Sequence, residues 1–131
     1  MSPIRVFLLD DSDAFLDAAE SFLNADGSVE VVGRACSTAE ALEQVAHTQP
    51  DVVLATLEIS HPNGLIASVR LKSLKRTPCV IILSDHVEPP YRALAMSAQA
   101  DAFVLKQDFC TKVLPMMRQF FRAHNANPPT D

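Results

Sequence analysis

The stretch Ile4-Arg5-Val6-Phe7-Leu8-Leu9-Asp10-Asp11 decides the fold. Its short, nearly unbroken apolar run suits a strand covered on both faces, and it ends in two adjacent carboxylates. Four more runs of the same kind follow: Val29 to Val32, Val52 to Leu57, Cys79 to Leu83 and Ala102 to Leu105. Helical patterns separate them. Strands alternating with helices predict an α/β fold, a doubly wound five-stranded parallel sheet with right-handed crossovers placing helices on both faces. Ligands of such sheets bind outside the carboxyl ends of the strands. Asp10, Asp11, Thr56, Glu58, Ser84, Asp85 and Lys106 are therefore expected along one edge.

The helices agree with this register. Phe15, Ala19, Phe22 and Leu23 recur at helical spacing after Ser12 or Asp13, either of which serves as an N-cap. Ser37 and Glu40 have capping-box spacing ahead of Ala41, Leu42 and Val45. Val113, Leu114, Met117, Phe120 and Phe121 form the apolar stripe of a last helix. Pro115 would break its interior, so a start near Thr111 is expected, with the proline in the first turn. Asn125 to Asp131 reads as a tail or the start of a linker, leaving one domain over residues 1–124.

Bulk properties narrow the function. A chain of 131 residues, 48% hydrophobic and 21% charged, fits one globular domain. Its net charge of −5 offers no basic field for a phosphate backbone, so no direct nucleic-acid contact by this segment is expected. No apolar run approaches a membrane span, and Asp10 comes too early for a signal-peptide core. Cys36, Cys79 and Cys110 are odd in number, lack metal-ligand spacing and lie in or beside apolar stretches. Reduced structural thiols in a cytoplasmic protein are the expectation.

These features together resemble the receiver domains of two-component response regulators, from Ile4 to about Phe121. Asp10-Asp11 falls where that family keeps an acidic pair, and Pro50-Asp51-Val52-Val53-Leu54 resembles its entry to the central strand. Gly64 resembles the glycine of the following loop. Ser84 stands at the switch hydroxyl position, Phe103 at the switch aromatic and Lys106 at the family's lysine. Tyr91, Ala93, Leu94, Ala98, Ala100 and Asp101 continue the similarity, most closely to receivers of DNA-binding regulators. The resemblance implies signal transduction, with a protein partner or a second copy docking on the fourth helix, fifth strand and last helix.

The departures are as informative. The aligned phosphoacceptor position holds Thr56, within Leu54-Ala55-Thr56-Leu57-Glu58, and a threonine hydroxyl cannot form an acyl phosphate. It would need a general base even to act as a nucleophile; His61 and His86 could approach from loops, but a surface role suits both better. The family's magnesium ligands are the acid pair, the acceptor and a backbone carbonyl, here at about Glu58. With one carboxylate gone, Asp10, Asp11 and the Glu58 carbonyl would hold magnesium only weakly, so neither metal nor other cofactor is expected. Removing the third acid also relieves repulsion, which for two like charges about 5 Å apart is on the order of 3 kcal/mol at an effective dielectric near 20. Lys106 is then free to pair with Asp10 or Asp11. Asp85 places a carboxylate where the family has a small residue admitting the phosphoryl group. Gln99 and Ala102 occupy positions where glycine is common, and Ser60-His61-Pro62-Asn63 replaces the usual loop start.

The expected function is a pseudo-receiver: a non-enzymatic regulatory and interaction module that works without aspartyl phosphorylation, N-terminal in a DNA-binding regulator. Two alternatives stay open. Asp11-Ser12-Asp13 after a strand also resembles the nucleophile and acid-base pair of a haloacid-dehalogenase phosphatase using magnesium, with Ser84 and Lys106 as its later hydroxyl and lysine. A receiver phosphorylated at a non-standard site, Thr56 included, is the other.

Overall fold

The computed structural model describes residues 2–59 and 62–125. Its elements run β1 (Ile4–Leu9), α1 (Asp13–Asn24), β2 (Val29–Ala35), α2 (Thr38–Thr48), β3 (Val52–Thr56), α3 (Gly64–Leu71), β4 (Cys79–Ser84), α4 (Pro89–Ser97), β5 (Ala102–Leu105) and α5 (Phe109–Asn125). The strands form one parallel sheet in the order β2-β1-β3-β4-β5. The doubly wound α/β fold is as the alternation of runs predicts. β3, central in that order, is buried at every residue, as strands with helices on both faces must be.

Two apolar layers flank the sheet. One gathers Phe7, Val53, Ala55, Ile82 and Phe103 with Ala41, Val45, Ala67 and Leu71. The other gathers Leu8, Leu54, Ile81 and Val104 with Leu16, Leu23, Val113 and Met117. Alternate side chains of each strand serve opposite layers, as the pleat requires.

Local chemistry sets the boundaries. Ser12 caps α1 by accepting the Phe15 N–H, and Ser37 caps α2 by accepting that of Glu40. Glu40 returns the bond to the Cys36 N–H at 3.0 Å, completing the capping box. β2 runs past the expected Val32 because Gly33 lets the Phe7 ring approach: a Cβ at Gly33 would lie 2.8 Å from that ring, beside an irregular register at Val6/Phe7. β3 ends at Thr56, one residue before the expected Leu57, while β4 continues to Ser84.

Several sequence expectations need correction. α5 begins at Phe109, so Pro115 lies in its interior. A 3-10 turn over Lys106–Asp108 feeds straight into the helix, and Pro115 stands exposed, where water can satisfy the Thr111 carbonyl that loses its partner. Phe120 is 36% exposed at the end of the stripe whose buried members are Val113, Leu114 and Met117. On α1 the fully buried positions are Leu16, Ala19 and Leu23, while Phe15 and Phe22 pack edge-on against Phe109 at 5.6 and 5.9 Å. Cys36 and Cys110 are exposed and only Cys79 is partly buried, so a structural thiol describes Cys79 alone. Gln99 adopts a positive φ of 68°, the left-handed conformation behind the glycine preference at this position. Asn125 closes α5, and the rest of the proposed tail, 126–131, lies outside the described residues, as do Ser60 and His61.

Candidate functional site

Three strand ends meet at the carboxyl edge of the sheet. β1 delivers Asp10, β3 delivers Thr56 and β5 delivers Lys106. Asp10 is 1% exposed and Thr56 2%. Thr56 Oγ1 donates to Asp10 Oδ2 at 2.5 Å, and Lys106 Nζ donates to the same oxygen at 2.6 Å. The other oxygen, Oδ1, accepts the Ser12 N–H at 2.8 Å. Both oxygens of the buried carboxylate thus have protein donors. Lys106 Nζ also lies 4.2 Å from the centroid of the Phe15 ring, a cation–π contact that fixes the ammonium over α1.

A second cluster joins the loops after β3 and β4. Ser84, fully buried, donates its hydroxyl proton to Glu58 Oε2 at 2.5 Å and accepts the His86 N–H at 3.0 Å. Glu58 Oε1 accepts the Asp85 N–H at 3.2 Å. His86 is held between Glu58 and Glu88, at 3.9 and 3.8 Å, and stacks on Tyr91 with centroids 4.3 Å apart. Gly64 lets the start of α3 close against this edge, since a Cβ there would sit 2.4 Å from the Thr56 carbonyl oxygen. Asn63 caps that helix by accepting the Leu65 and Ile66 N–H groups.

The residues singled out by sequence therefore separate. Asp10, Thr56 and Lys106 form the floor, and Ser84 faces Glu58 above it. Asp11 and Asp85 are exposed, so Asp85 contributes its N–H to the pocket rather than a carboxylate. Phe103 is buried, with the Arg92 guanidinium 5.1 Å from its ring centroid. The sequence places Glu58 at this edge and offers its carbonyl, but does not show its side chain bonded to Ser84 and the Asp85 N–H. An acidic residue two positions after a strand-end hydroxyl, facing a serine at the next strand's end, was the available signal. Asp13 opens α1 on the exposed surface and accepts the Cys36 thiol at 3.8 Å.

The profile of the response regulator receiver domain matches residues 6–114, most of the chain. The chain belongs to the response regulator receiver family. It is 34% identical over 104 residues to the transcriptional regulatory protein DesR of Bacillus subtilis, covering 79% of this chain and 51% of that protein. A protein-glutamate methylesterase/protein-glutamine glutaminase of Methanospirillum hungatei is 32% identical over 107 residues, covering 79% of this chain and 31% of the relative. The chain thus spans about half or less of the length of these relatives. The signal receiver domain of NarL from Mycobacterium tuberculosis superposes with a TM-score of 0.85 at 28% identity, covering 92% of this chain and 97% of that domain. As a receiver the chain is a two-component signalling domain related to DNA-binding regulators, and the haloacid-dehalogenase alternative has no support. Among the described residues, no helix is long and apolar enough to cross a membrane.

Proposed function

We propose that this receiver works without aspartyl phosphorylation, as a cytoplasmic regulatory module read by a protein partner. One observation carries the reading: at the end of β3 a threonine, not a carboxylate, faces the cleft, and its hydroxyl proton is already given to Asp10. A carboxylate attacks phosphorus as an ionised nucleophile, whereas this hydroxyl must first lose its proton. The Asp10 oxygen that faces this hydroxyl is already shared with Lys106 Nζ, at 2.6 Å.

The donor set does not fit magnesium. Asp10 would have to surrender bonds to Ser12, Thr56 or Lys106 to coordinate a cation, which leaves Asp11 and a carbonyl near Glu58. Magnesium dehydrates reluctantly and demands near-octahedral oxygen ligands, so this is a thin set. Among the described residues, no group of three or more His, Cys, Asp and Glu side chains is arranged for a metal.

The reading places output on the surface of α4, β5 and α5, where Leu94, Met96 and Phe120 are exposed. A protein partner or a second copy would favour one arrangement of that face and shift its population. The match to part of DesR, a transcriptional regulatory protein, supports a role within a transcriptional regulator; in this reading the receiver is its N-terminal part, and any DNA contact is made by other residues. The chain itself is not an enzyme in this reading. Incubation with acetyl phosphate and magnesium, followed by intact mass measurement, tests it. No phosphoryl adduct is expected; an acid-labile, hydroxylamine-sensitive adduct on any residue overturns the proposal.

A further inference from the structure

The end of β4 and the residue after it offer two donors toward the cleft, the Ser84 hydroxyl and the Asp85 N–H, and one carboxylate takes both. Glu58 reaches across from the turn after β3 to hold them through separate oxygens. A hydroxyl has a single proton, so Ser84 bonded to Glu58 has none for another acceptor. Its lone pair is thereby aimed at the His86 N–H, which it accepts at 3.0 Å. Bonds to an ionised acceptor are the strong kind. The result is a non-covalent strap between two loops whose residues stand 26 positions apart.

The strap continues into the helix that follows. α4 opens on Pro89 and Pro90 with Glu88 as N-cap, and no side-chain bond caps it. Its entry is held instead by His86, which stacks almost flat on Tyr91, the rings inclined by 10°. Tyr91 packs on the apolar layer that contains Phe103, and the next residue, Arg92, lies over the Phe103 ring. A continuous set of contacts thus runs from Glu58 through Ser84, His86 and Tyr91 to β5.

We infer that the Glu58 carboxylate is a built-in anion: it occupies the donors that would receive an external oxyanion and so fixes the α4–β5 surface in one arrangement with no covalent modification. The inference deepens the phosphorylation-independent reading and rests on it. It adds that the cleft is closed to small oxyanions because its receiving groups are already taken, and that the arrangement of the output face depends on this one side chain.

The test uses the full chain with Glu58→Ala and the isosteric Glu58→Gln, read by amide exchange and backbone chemical shifts. In Glu58→Ala, exchange of the Asp85 amide should rise about tenfold, the order expected for losing a bond to a charged acceptor, and that of His86, whose acceptor Ser84 loses its anchor, should rise less. Shifts at Tyr91, Arg92 and Phe103 should move with them. Glu58→Gln retains an accepting oxygen and should give smaller changes in the same direction. Sodium formate, a carboxylate small enough for the vacated space, should return the Glu58→Ala shifts toward wild type while leaving wild type unaffected. Unchanged exchange, shifts confined to residues 58 and 84–86, or no response to formate each overturns the inference. If wild type instead took phosphoryl from acetyl phosphate while formate still rescued Glu58→Ala, the phosphorylation-independent reading and the closed cleft would both fall, and only the Glu58 strap and its hold on α4 would stand.

Discussion

The two ends of the sheet put carboxylates to different uses. At the amino end, Asp51 accepts the Arg5 N–H at 2.9 Å, while Asp101 accepts the Val80 N–H at 2.8 Å and Lys72 Nζ at 2.7 Å. Both close off the starts of strands near solvent, where water is an alternative partner. At the carboxyl end, Asp10 takes a hydroxyl, an ammonium and an amide in near-complete burial, where no such substitute exists. An acid at one end is a strand cap, and at the other it holds the floor of a cleft together.

The comparison predicts unequal costs. Asp10→Ala leaves a buried hydroxyl and a poorly solvated ammonium without their acceptor, and should lower stability by about 3 kcal/mol. Urea unfolding monitored by circular dichroism reads this directly. A midpoint at or above wild type would mean that the carboxylate was under repulsion rather than satisfied, and would break the contrast. Asp101→Ala should cost less, about 1–2 kcal/mol, since the Asp101 carboxylate is exposed, unlike that of Asp10, and water can take its place. A larger loss there than at Asp10 would invert the ranking of the two ends.

The smallest effect comes from Cys79, beside Asp101. Burial first, then the Asp101 charge, pushes its thiol up to about 12 from the usual 9.0. The folded state therefore keeps its proton where the unfolded chain loses it. Stability from this group is complete below pH 9 and is lost as pH rises from 9 toward 12. Cys79→Ala should flatten that alkaline limb in thermal melts between pH 8 and 10.5. An unchanged slope would show that the thiol does not contribute. Exposed Cys36 and Cys110 should alkylate in the native protein well before Cys79.

Much of this was legible in the sequence, for identifiable reasons. Apolar runs such as Val52 to Ala55 have no polar interruption to mislead, and the capping box of Ser37 and Glu40 is local. The strand ends therefore place Asp10, Thr56, Ser84 and Lys106 at one edge from sequence alone. Three things are not legible there. The start of α5 was hidden because a proline rule applied to Pro115 takes no account of an exposed carbonyl that water can satisfy. Lys106 pairs with Asp10, one of the two acids the sequence offers it, but the bonds of Thr56 to Asp10 and of Ser84 to Glu58 depend on side-chain reach between distant segments, which no local pattern encodes. Asp85 was read as a carboxylate in the pocket, yet the backbone turns it outward and only its N–H enters.

The central claim is that the cleft lacks the oxygen an acyl phosphate and its magnesium require. Titration of wild type and Thr56→Asp with magnesium and beryllofluoride, followed by backbone amide shifts, tests it most directly. Thr56→Asp restores a third acid and should show saturable shifts at residues 10, 11, 56, 84 and 106, while wild type shows none. Saturable shifts of the same residues in wild type would contradict the account.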